Sequence, residues 1–179
     1  MIIVGIMNMN TPDNMRSRRT VQRMEEVYLE LLASDPDRQV SVMQLCSYAN
    51  VNRSTFYSHY SDVFDLQRKI EKRISNEVSA IFTDKGYGEN RMTRERFAVL
   101  LEYIRKNRLF YHAWFVCGRM DDPSAIASVL NRPNMTQDNR FSILFYKAGI
   151  SAVIRDWVIR GCAESNERVL SVLADICNL

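Results

Sequence analysis

Apolar residues recur at three- and four-residue steps along most of the chain, which is the spacing of amphipathic α-helices. This pattern predicts a first helix over residues 16–34, which ends at Asp35-Pro36 because the residue before a proline disfavours helical dihedrals. Further helices are predicted over 42–49, 53–60, 62–82, 139–160 and 165–178, and two more apolar helical faces over 97–104 and 109–115. The sequence therefore predicts an all-α fold.

Two of the predicted helices are short and are joined by the three-residue turn Asn50-Val51-Asn52. Ser41 and Gln44 have the spacing of a capping box at the start of the first helix. Asn50 suits a left-handed position that ends a helix, and Asn52 suits the cap of the second helix. This arrangement predicts a helix-turn-helix, whose second helix is small enough to enter a DNA major groove.

The second short helix carries many hydrogen-bond donors. The positions that we expect to face DNA are Arg53, Ser54, Thr55, Tyr57 and His59. No acidic residue occurs over residues 40–61, where a carboxylate would repel phosphate. Before this segment, the first helix begins with a basic arm of Arg16, Arg18 and Arg19. The arm either lies along DNA phosphates or is a solvated, frayed helix end.

Residues 42–66 resemble the DNA-binding segment of the TetR/AcrR family of transcriptional regulators. The match consists of Leu45-Cys46, the turn over 49–52, Thr55-Phe56-Tyr57, Tyr60 and Leu66. Weaker similarity over 101–115 and 145–158 is to ligand- and dimer-domain helices of some TetR branches. The second of these stretches is reminiscent of the dihydroxyacetone-kinase-regulator-like branch. The resemblance implies an N-terminal helix-turn-helix followed by a C-terminal helical domain for ligand binding and dimerisation.

The resemblance also implies roles for single residues. Tyr57 matches a tyrosine that contacts a phosphate, and Thr55 matches a position that reaches phosphate or base edges. Arg53 is the best candidate for reading guanine through paired hydrogen bonds. Two positions depart from the family pattern. Asn50 stands where the family has a turn glycine, and the substitution is compatible because asparagine tolerates positive φ. Val63 stands where the family has a lysine that contacts a phosphate.

The domain prediction has four parts. We expect a disordered tail over 1–14, a helix-turn-helix domain over 15–62, a connecting helix and joint over 63–89, and a ligand-binding and dimerisation domain over 90–179. The joint is expected because residues 83–91 contain two glycines and no helical period.

The predicted helix over 139–160 is apolar around most of its circumference, so it must be buried on more than one side. We therefore expect it to pair with a second copy of the chain, together with the last helix. The alternative is a helix at the centre of its own domain. The expected interface residues are Ala148, Gly149, Ala152, Val153 and Trp157.

Six aromatic residues of the C-terminal half are candidates for an effector pocket. They are Tyr103, Tyr111, Trp114, Phe115, Phe141 and Phe145. Aromatic residues at helical spacing more often belong to a hydrophobic core, which is the alternative for each of them. The apolar faces contain no charged residue that would indicate the chemistry of the effector.

Composition changes this picture little. The 179 residues carry a net charge of +3 and are 46% hydrophobic, which is ordinary for a globular protein. The apolar first ten residues lack the basic region and cleavage site of a signal peptide, and no stretch is long enough to predict a membrane span. The four cysteines have no metal-ligand spacing, and only two histidines are present. We therefore expect reduced thiols, no metal site and a cytoplasmic protein.

No nucleotide-binding, hydrolase or metalloprotease motif is present, so the sequence predicts neither an enzyme nor a cofactor. We predict a homodimeric regulator that binds double-stranded operator DNA, acts as a repressor, and is released by a small molecule bound in the C-terminal domain. The alternative is a dimeric adaptor of the same fold that acts through protein contacts with weak or no DNA binding. Val63 and the modest net charge favour this alternative.

Overall fold

The computed structural model describes residues 12–37, 39–83, 93–118 and 137–177. These residues form eight α-helices and no strand, which confirms the predicted all-α fold. The helices are α1 (Pro12–Ser34), α2 (Val42–Ala49), α3 (Arg53–His59), α4 (Val63–Thr83), α5 (Arg94–Lys106), α6 (Arg108–Cys117), α7 (Gln137–Ile159) and α8 (Asn166–Cys177). They divide into two compact units, the first up to Gln67 and the second from Arg68.

Side-chain caps define where two helices of the first unit begin. The Ser41 hydroxyl accepts a hydrogen bond from the backbone N–H of Gln44 at 3.2 Å, which confirms Ser41 as the cap of α2. At α4, Asp62 Oδ1 accepts the N–H of Asp65 at 2.6 Å, and the Asp65 carboxylate accepts the N–H of Ser61 at 3.1 Å. This reciprocal pair satisfies two N–H groups that a helix start leaves without a helical partner.

The turn between α2 and α3 is set by Asn50, which has φ 53° and ψ 48° in the left-handed region. Its N–H donates to the carbonyl oxygens of Cys46 and Ser47 and so closes α2. The predicted left-handed position is therefore confirmed. Asn52 stands at the start of α3 as predicted, but its side chain makes no capping hydrogen bond, so that part of the prediction is wrong.

In the first unit a small apolar core joins α1, α2, α3 and the beginning of α4. Its buried members are Met24, Val27, Tyr28, Leu45, Phe56, Tyr60 and Leu66. At its edge the Tyr28 hydroxyl on α1 donates to Gln67 Oε1 on α4 at 2.8 Å. The Tyr60 hydroxyl, which follows α3, donates to Glu25 Oε1 on α1 at 3.4 Å. Both bonds fix later elements of the unit against α1.

In the second unit, α5 packs against α8, and α6 packs against α7. The predicted apolar face of α5 is confirmed, because Phe97, Leu100, Leu101 and Ile104 are all fully buried. Of the cysteines, Cys46 and Cys162 are buried, and Cys117 and Cys177 are half-buried.

Arg105 on α5 holds the turn between α7 and α8. Its guanidinium donates to Asn166 Oδ1 at 2.6 Å and to the carbonyl oxygen of Glu164, and it lies 5.1 Å from the centre of the Trp157 ring. The indole N–H of Trp157 donates to the same Glu164 carbonyl at 3.1 Å. The turn is therefore fixed by a cation, an aromatic ring and shared hydrogen bonds rather than by apolar packing alone.

One predicted boundary needs correction. α1 begins at Pro12, so the last three residues of the expected tail over 1–14 are helical. Proline suits a first helical position because its φ is already helical and no N–H is required there. The rest of that tail and residues 84–91 of the predicted joint lie outside the described residues. Within the described ranges, no helix is both long and apolar enough to cross a bilayer.

Candidate nucleic-acid interface

The helix α3, with Tyr60 directly after it, has one buried side and one exposed side. Phe56 and Tyr60 lie inward at 0% and 4% exposure, with ring centroids 5.6 Å apart. Among the predicted contact residues, Arg53, Ser54 and Tyr57 are exposed, and Thr55 and His59 are half-buried. The packing of the two inward rings therefore leaves the polar residues of α3 on the outside of the unit.

Three side chains of α3 have defined local surroundings. The Tyr57 ring meets the edge of Phe56 at 5.4 Å and is 55% exposed, so it is supported at the ring while remaining accessible. The Ser58 hydroxyl donates to the carbonyl oxygen of Thr55 at 2.7 Å, so its proton is used within the helix. The His59 ring lies 6.3 Å from the ring of Tyr60.

The charge at this surface is positive. Arg53 acts electrostatically on Cys46 of α2: burial raises the pKa of this thiol, and the nearby guanidinium partly opposes that rise. The buried thiol therefore stays protonated at neutral pH. Arg16, Arg18 and Arg19 are exposed on helical backbone at the beginning of α1.

The beginning of α4 carries no cation. Val63 is half-buried, and Phe64 is 64% exposed. The lysine that the family resemblance implies at position 63 has no neighbouring substitute in the first turn of this helix. The first basic residues of α4 are Arg68 and Lys69, both exposed.

Four of the six aromatic candidates come together in the second unit. Tyr111 lies at the centre, with ring centroids 6.5 Å from Tyr103, 6.3 Å from Trp114 and 6.5 Å from Phe115. The Tyr103 hydroxyl also donates to Glu77 Oε2 on α4 at 2.7 Å. Burial raises the pKa of Tyr103, and the hydrogen bond to Glu77 raises it further. The phenol therefore keeps its proton and remains a donor.

The helix α7 has two opposite faces. Its exposed face contains Phe141, Leu144, Phe145, Ala148, Gly149 and Ala152, and its buried face contains Ile150, Ile154, Trp157 and Val158. Phe141 and Phe145 are 66% and 72% exposed in the single chain. Since they are four residues apart, they share one side of the helix, away from its buried face.

The predicted interface residues also separate by face. Ala148, Gly149 and Ala152 are exposed, and Val153 is half-buried. Trp157 is 1% exposed and contacts Arg105 and Glu164 inside its own unit, so it lies away from the exposed face of α7.

A groove of about 440 Å³ runs between α7 and α8, beside the exposed face of α7. It is lined by Ala152, Val153, Asp156, Trp157, Arg160, Glu164, Arg168, Val169 and Val172. The sequence predicts the last helix at the interface, but Val169 and Val172 of α8 are not among the predicted residues, although they have helical spacing.

These two units have the fold of TetR-type regulators, as solved structures show. A TetR transcriptional regulator from Streptococcus agalactiae matches with a TM-score of 0.54 and 18% identity, over 92% of this chain and 96% of that chain. A TetR-family transcriptional regulator from Haemophilus influenzae matches with a TM-score of 0.52 and 14% identity, over 89% and 95%. The resemblance predicted from the sequence is therefore confirmed at the level of the fold.

Two further matches are to proteins named DhaS. The structure of the dihydroxyacetone kinase operon activator DhaS matches with a TM-score of 0.52 and 20% identity, over 88% of this chain and 93% of that chain. The HTH-type dhaKLM operon transcriptional activator DhaS of Lactococcus lactis is 22% identical over 180 residues, covering 91% of each chain. Both agree with the branch that the sequence resembles. No family model matches the chain.

Proposed function

We propose that this protein is a homodimeric transcriptional regulator that reads operator DNA with α3. The observation that carries the proposal is the composition of the exposed side of α3: Arg53, Ser54 and Tyr57 are exposed, while residues 40–61 contain no carboxylate. A merely solvated helix has no reason to exclude acids, whereas a helix that approaches phosphates does. The relatives described as transcriptional regulators support the same function.

The residues of the interface have distinct roles in this proposal. Arg53 reads guanine through paired hydrogen bonds in the major groove. Tyr57 and Thr55 contact phosphates or base edges, with Ser54 and His59 beside them on the same helix. The arginines of α1 contribute further phosphate contacts. They are Arg16, Arg18 and Arg19.

The exposed face of α7 supports dimerisation. Its small residues Ala148, Gly149 and Ala152 allow a second helix to approach closely, and Phe141 and Phe145 extend the apolar surface along the same side. Two copies related by a two-fold axis place two recognition helices in successive major grooves of a palindromic site, about 34 Å apart.

The aromatic cluster around Tyr111 supports an effector site in the second unit. Tyr103 belongs to this cluster and bonds Glu77 of α4, so a small molecule that displaces Tyr103 would also act on α4. Such a molecule changes DNA affinity only if it binds the two states of the protein with different affinities. The family resemblance favours repression, whereas DhaS is described as an activator, and a reporter fusion with the gene deleted or restored decides between them.

The test is a fluorescence-anisotropy titration of the wild-type chain on its own upstream region. We expect specific, salt-sensitive binding. Arg53→Ala should weaken it about tenfold or more, because a paired arginine–guanine contact contributes roughly 1–3 kcal/mol. Tyr57→Ala should weaken it by a smaller factor on all sequences alike, since a phosphate contact carries no base preference.

Tyr48→Ala is the matched control, because Tyr48 is also an exposed tyrosine (64%, against 55% for Tyr57) but lies on α2 rather than on α3. Unchanged affinity in both α3 variants would exclude α3 as the reading helix. Absence of specific DNA binding by a folded, dimeric wild-type chain would instead favour the adaptor function, for which the exposed Phe64 and the missing cation at Val63 are the motivating features.

A further inference from the structure

Ser58 is an exposed residue of α3 that has no part in the contacts proposed so far. Helix positions advance by about 100° per residue, so Ser58 lies about 40° from the exposed Ser54 and about 160° from the buried Phe56. It follows Ser54 by one turn, about 6 Å along the helix axis. The two serines therefore form a polar row on the side of α3 that we propose to meet DNA.

The Ser58 hydroxyl has a defined polarity in the structure. It donates to the carbonyl oxygen of Thr55 at 2.7 Å, which is the ordinary length of an O–H···O hydrogen bond. A serine hydroxyl has one proton and two lone pairs. Because the proton lies in the bond to Thr55, the side chain presents its lone pairs to any other partner. Toward DNA, Ser58 is therefore a hydrogen-bond acceptor.

This polarity distinguishes between the bases of a major groove. Adenine and cytosine present an exocyclic amino group, which is a donor, whereas guanine and thymine present a keto oxygen, which is an acceptor. An amino group adds a hydrogen bond to Ser58 while the bond to Thr55 stays intact. A keto oxygen requires the hydroxyl to leave the Thr55 carbonyl first, so that one hydrogen bond only replaces another.

We propose that Ser58 selects an amino base, adenine or cytosine, on the DNA strand that it faces in each half-site. This inference rests on the proposed function and adds a specificity-determining residue to it. The preference over guanine or thymine should be about two- to tenfold, which is the effect of one neutral hydrogen bond. Arg53 has only donors, so Arg53 and Ser58 read bases of opposite hydrogen-bonding character.

The experiment measures affinity on duplexes in which each position of the specific upstream site carries each of the four bases in turn. The wild-type chain is compared with Ser58→Ala. Ser54→Ala is the matched control, because Ser54 is also an exposed serine on α3. Alanine favours the helix at both positions, and circular dichroism checks that each variant is folded.

We expect Ser58→Ala to lose the preference for adenine or cytosine at one position of each half-site and to keep the other preferences. Ser54→Ala should retain the amino preference at that position. The contact is then tested by removing the amino group from the DNA, with purine in place of adenine or pyrimidin-2-one in place of cytosine. This replacement should weaken wild-type binding about two- to tenfold and leave Ser58→Ala unaffected, because in that variant the contact is already lost.

Three results would overturn the proposal. Identical base preferences in Ser58→Ala and the wild type would exclude Ser58 from base reading and leave it as a residue that only closes the last turn of α3. A preference for guanine or thymine that depends on Ser58 would show that its hydroxyl donates to the base. Loss of the same preference in Ser54→Ala would show that the effect is not specific to Ser58.

These results are distinct from failure of the proposed function. Each of them requires a wild-type chain that binds its upstream site specifically, whereas the proposed function fails if the folded wild type shows no specific binding.

Discussion

Asn50 and Cys162 both have positive φ, at 53° and 57°, although neither is a glycine. Asn50 could be predicted because asparagine is one of the few residues that tolerate the left-handed region. Cys162 could not, since cysteine has no such tendency. Its conformation follows from the turn, where its N–H donates to the Trp157 carbonyl at 2.8 Å and where Gly161 also has positive φ.

Asn50→Ala should lower the free energy of unfolding by about 1 kcal/mol, because a side chain without a polar group gains nothing that offsets the left-handed backbone. Asn50→Gly should leave the stability within about 0.5 kcal/mol of the wild type. Urea denaturation measures both. Ser47→Ala, at an exposed position of α2, is the control. Equal losses for the alanine and glycine variants would show that the Asn50 side chain, not its backbone conformation, is what matters.

At the scale of elements, α2 depends on its cap more than the longer helices do. It has only eight residues, and a helix of that length is not stable by itself in water. Ser41 satisfies the N–H of Gln44, and Asn50 closes the other end. Because α2 packs against α3, the cap also supports the orientation of α3.

Ser41→Ala should therefore lower the free energy of unfolding by about 1 kcal/mol, the usual effect of removing a helix cap. Ser41→Asp should restore most of that stability, because aspartate accepts the same N–H. Thermal and urea unfolding followed by circular dichroism provide the measurement. If the aspartate variant were as unstable as the alanine variant, the hydrogen bond to Gln44 would not be the source of the stability.

The helix α7 shows the limit of periodicity at this scale. An apolar pattern around the whole circumference indicates that two sides need cover, but it does not indicate which side is covered by the same chain. In the structure, Ile150 and Trp157 lie on the buried face, and Phe145 and Ala148 lie on the exposed one. The assignment depends on packing against α6, which the pattern of α7 does not contain.

At the scale of the whole molecule, the exposed face of α7 is where a second copy is proposed to bind. Ala148→Arg places a charge in the middle of that face, and a two-fold axis brings the same charge from the other copy close to it. Such a pair costs several kcal/mol, so the dimer dissociation constant should rise by about a hundredfold or more. Sedimentation equilibrium measures the change.

Ala80→Arg is the matched control, because Ala80 is an exposed alanine on α4 rather than on α7. It should leave the dimer intact. A wild-type dissociation constant for the Ala148→Arg variant would remove the exposed face of α7 from the interface. A monomeric Ala148→Arg variant should also bind a single half-site more weakly than the wild type binds the full palindrome, since the two recognition helices are no longer linked.

The helices, the cap at Ser41 and the turn at Asn50 could all be predicted from the amino-acid sequence. Hydrophobic periodicity, capping and turn conformation arise from interactions within about four residues, so a local pattern is enough to reveal them. The polar, acid-free composition of α3 is visible in the same way. For this reason the candidate DNA contacts, from Arg53 to His59, follow from the sequence alone.

Contacts between residues that are far apart in the sequence, in contrast, depend on the tertiary structure. Folding places the Arg105 guanidinium 5.1 Å from the centre of the Trp157 ring and joins Tyr28 to Gln67 across 39 residues of chain. The physical reason is that burial depends on which helices pack together. An apolar or aromatic residue in the sequence shows that a partner is needed, and the packing of the helices selects that partner.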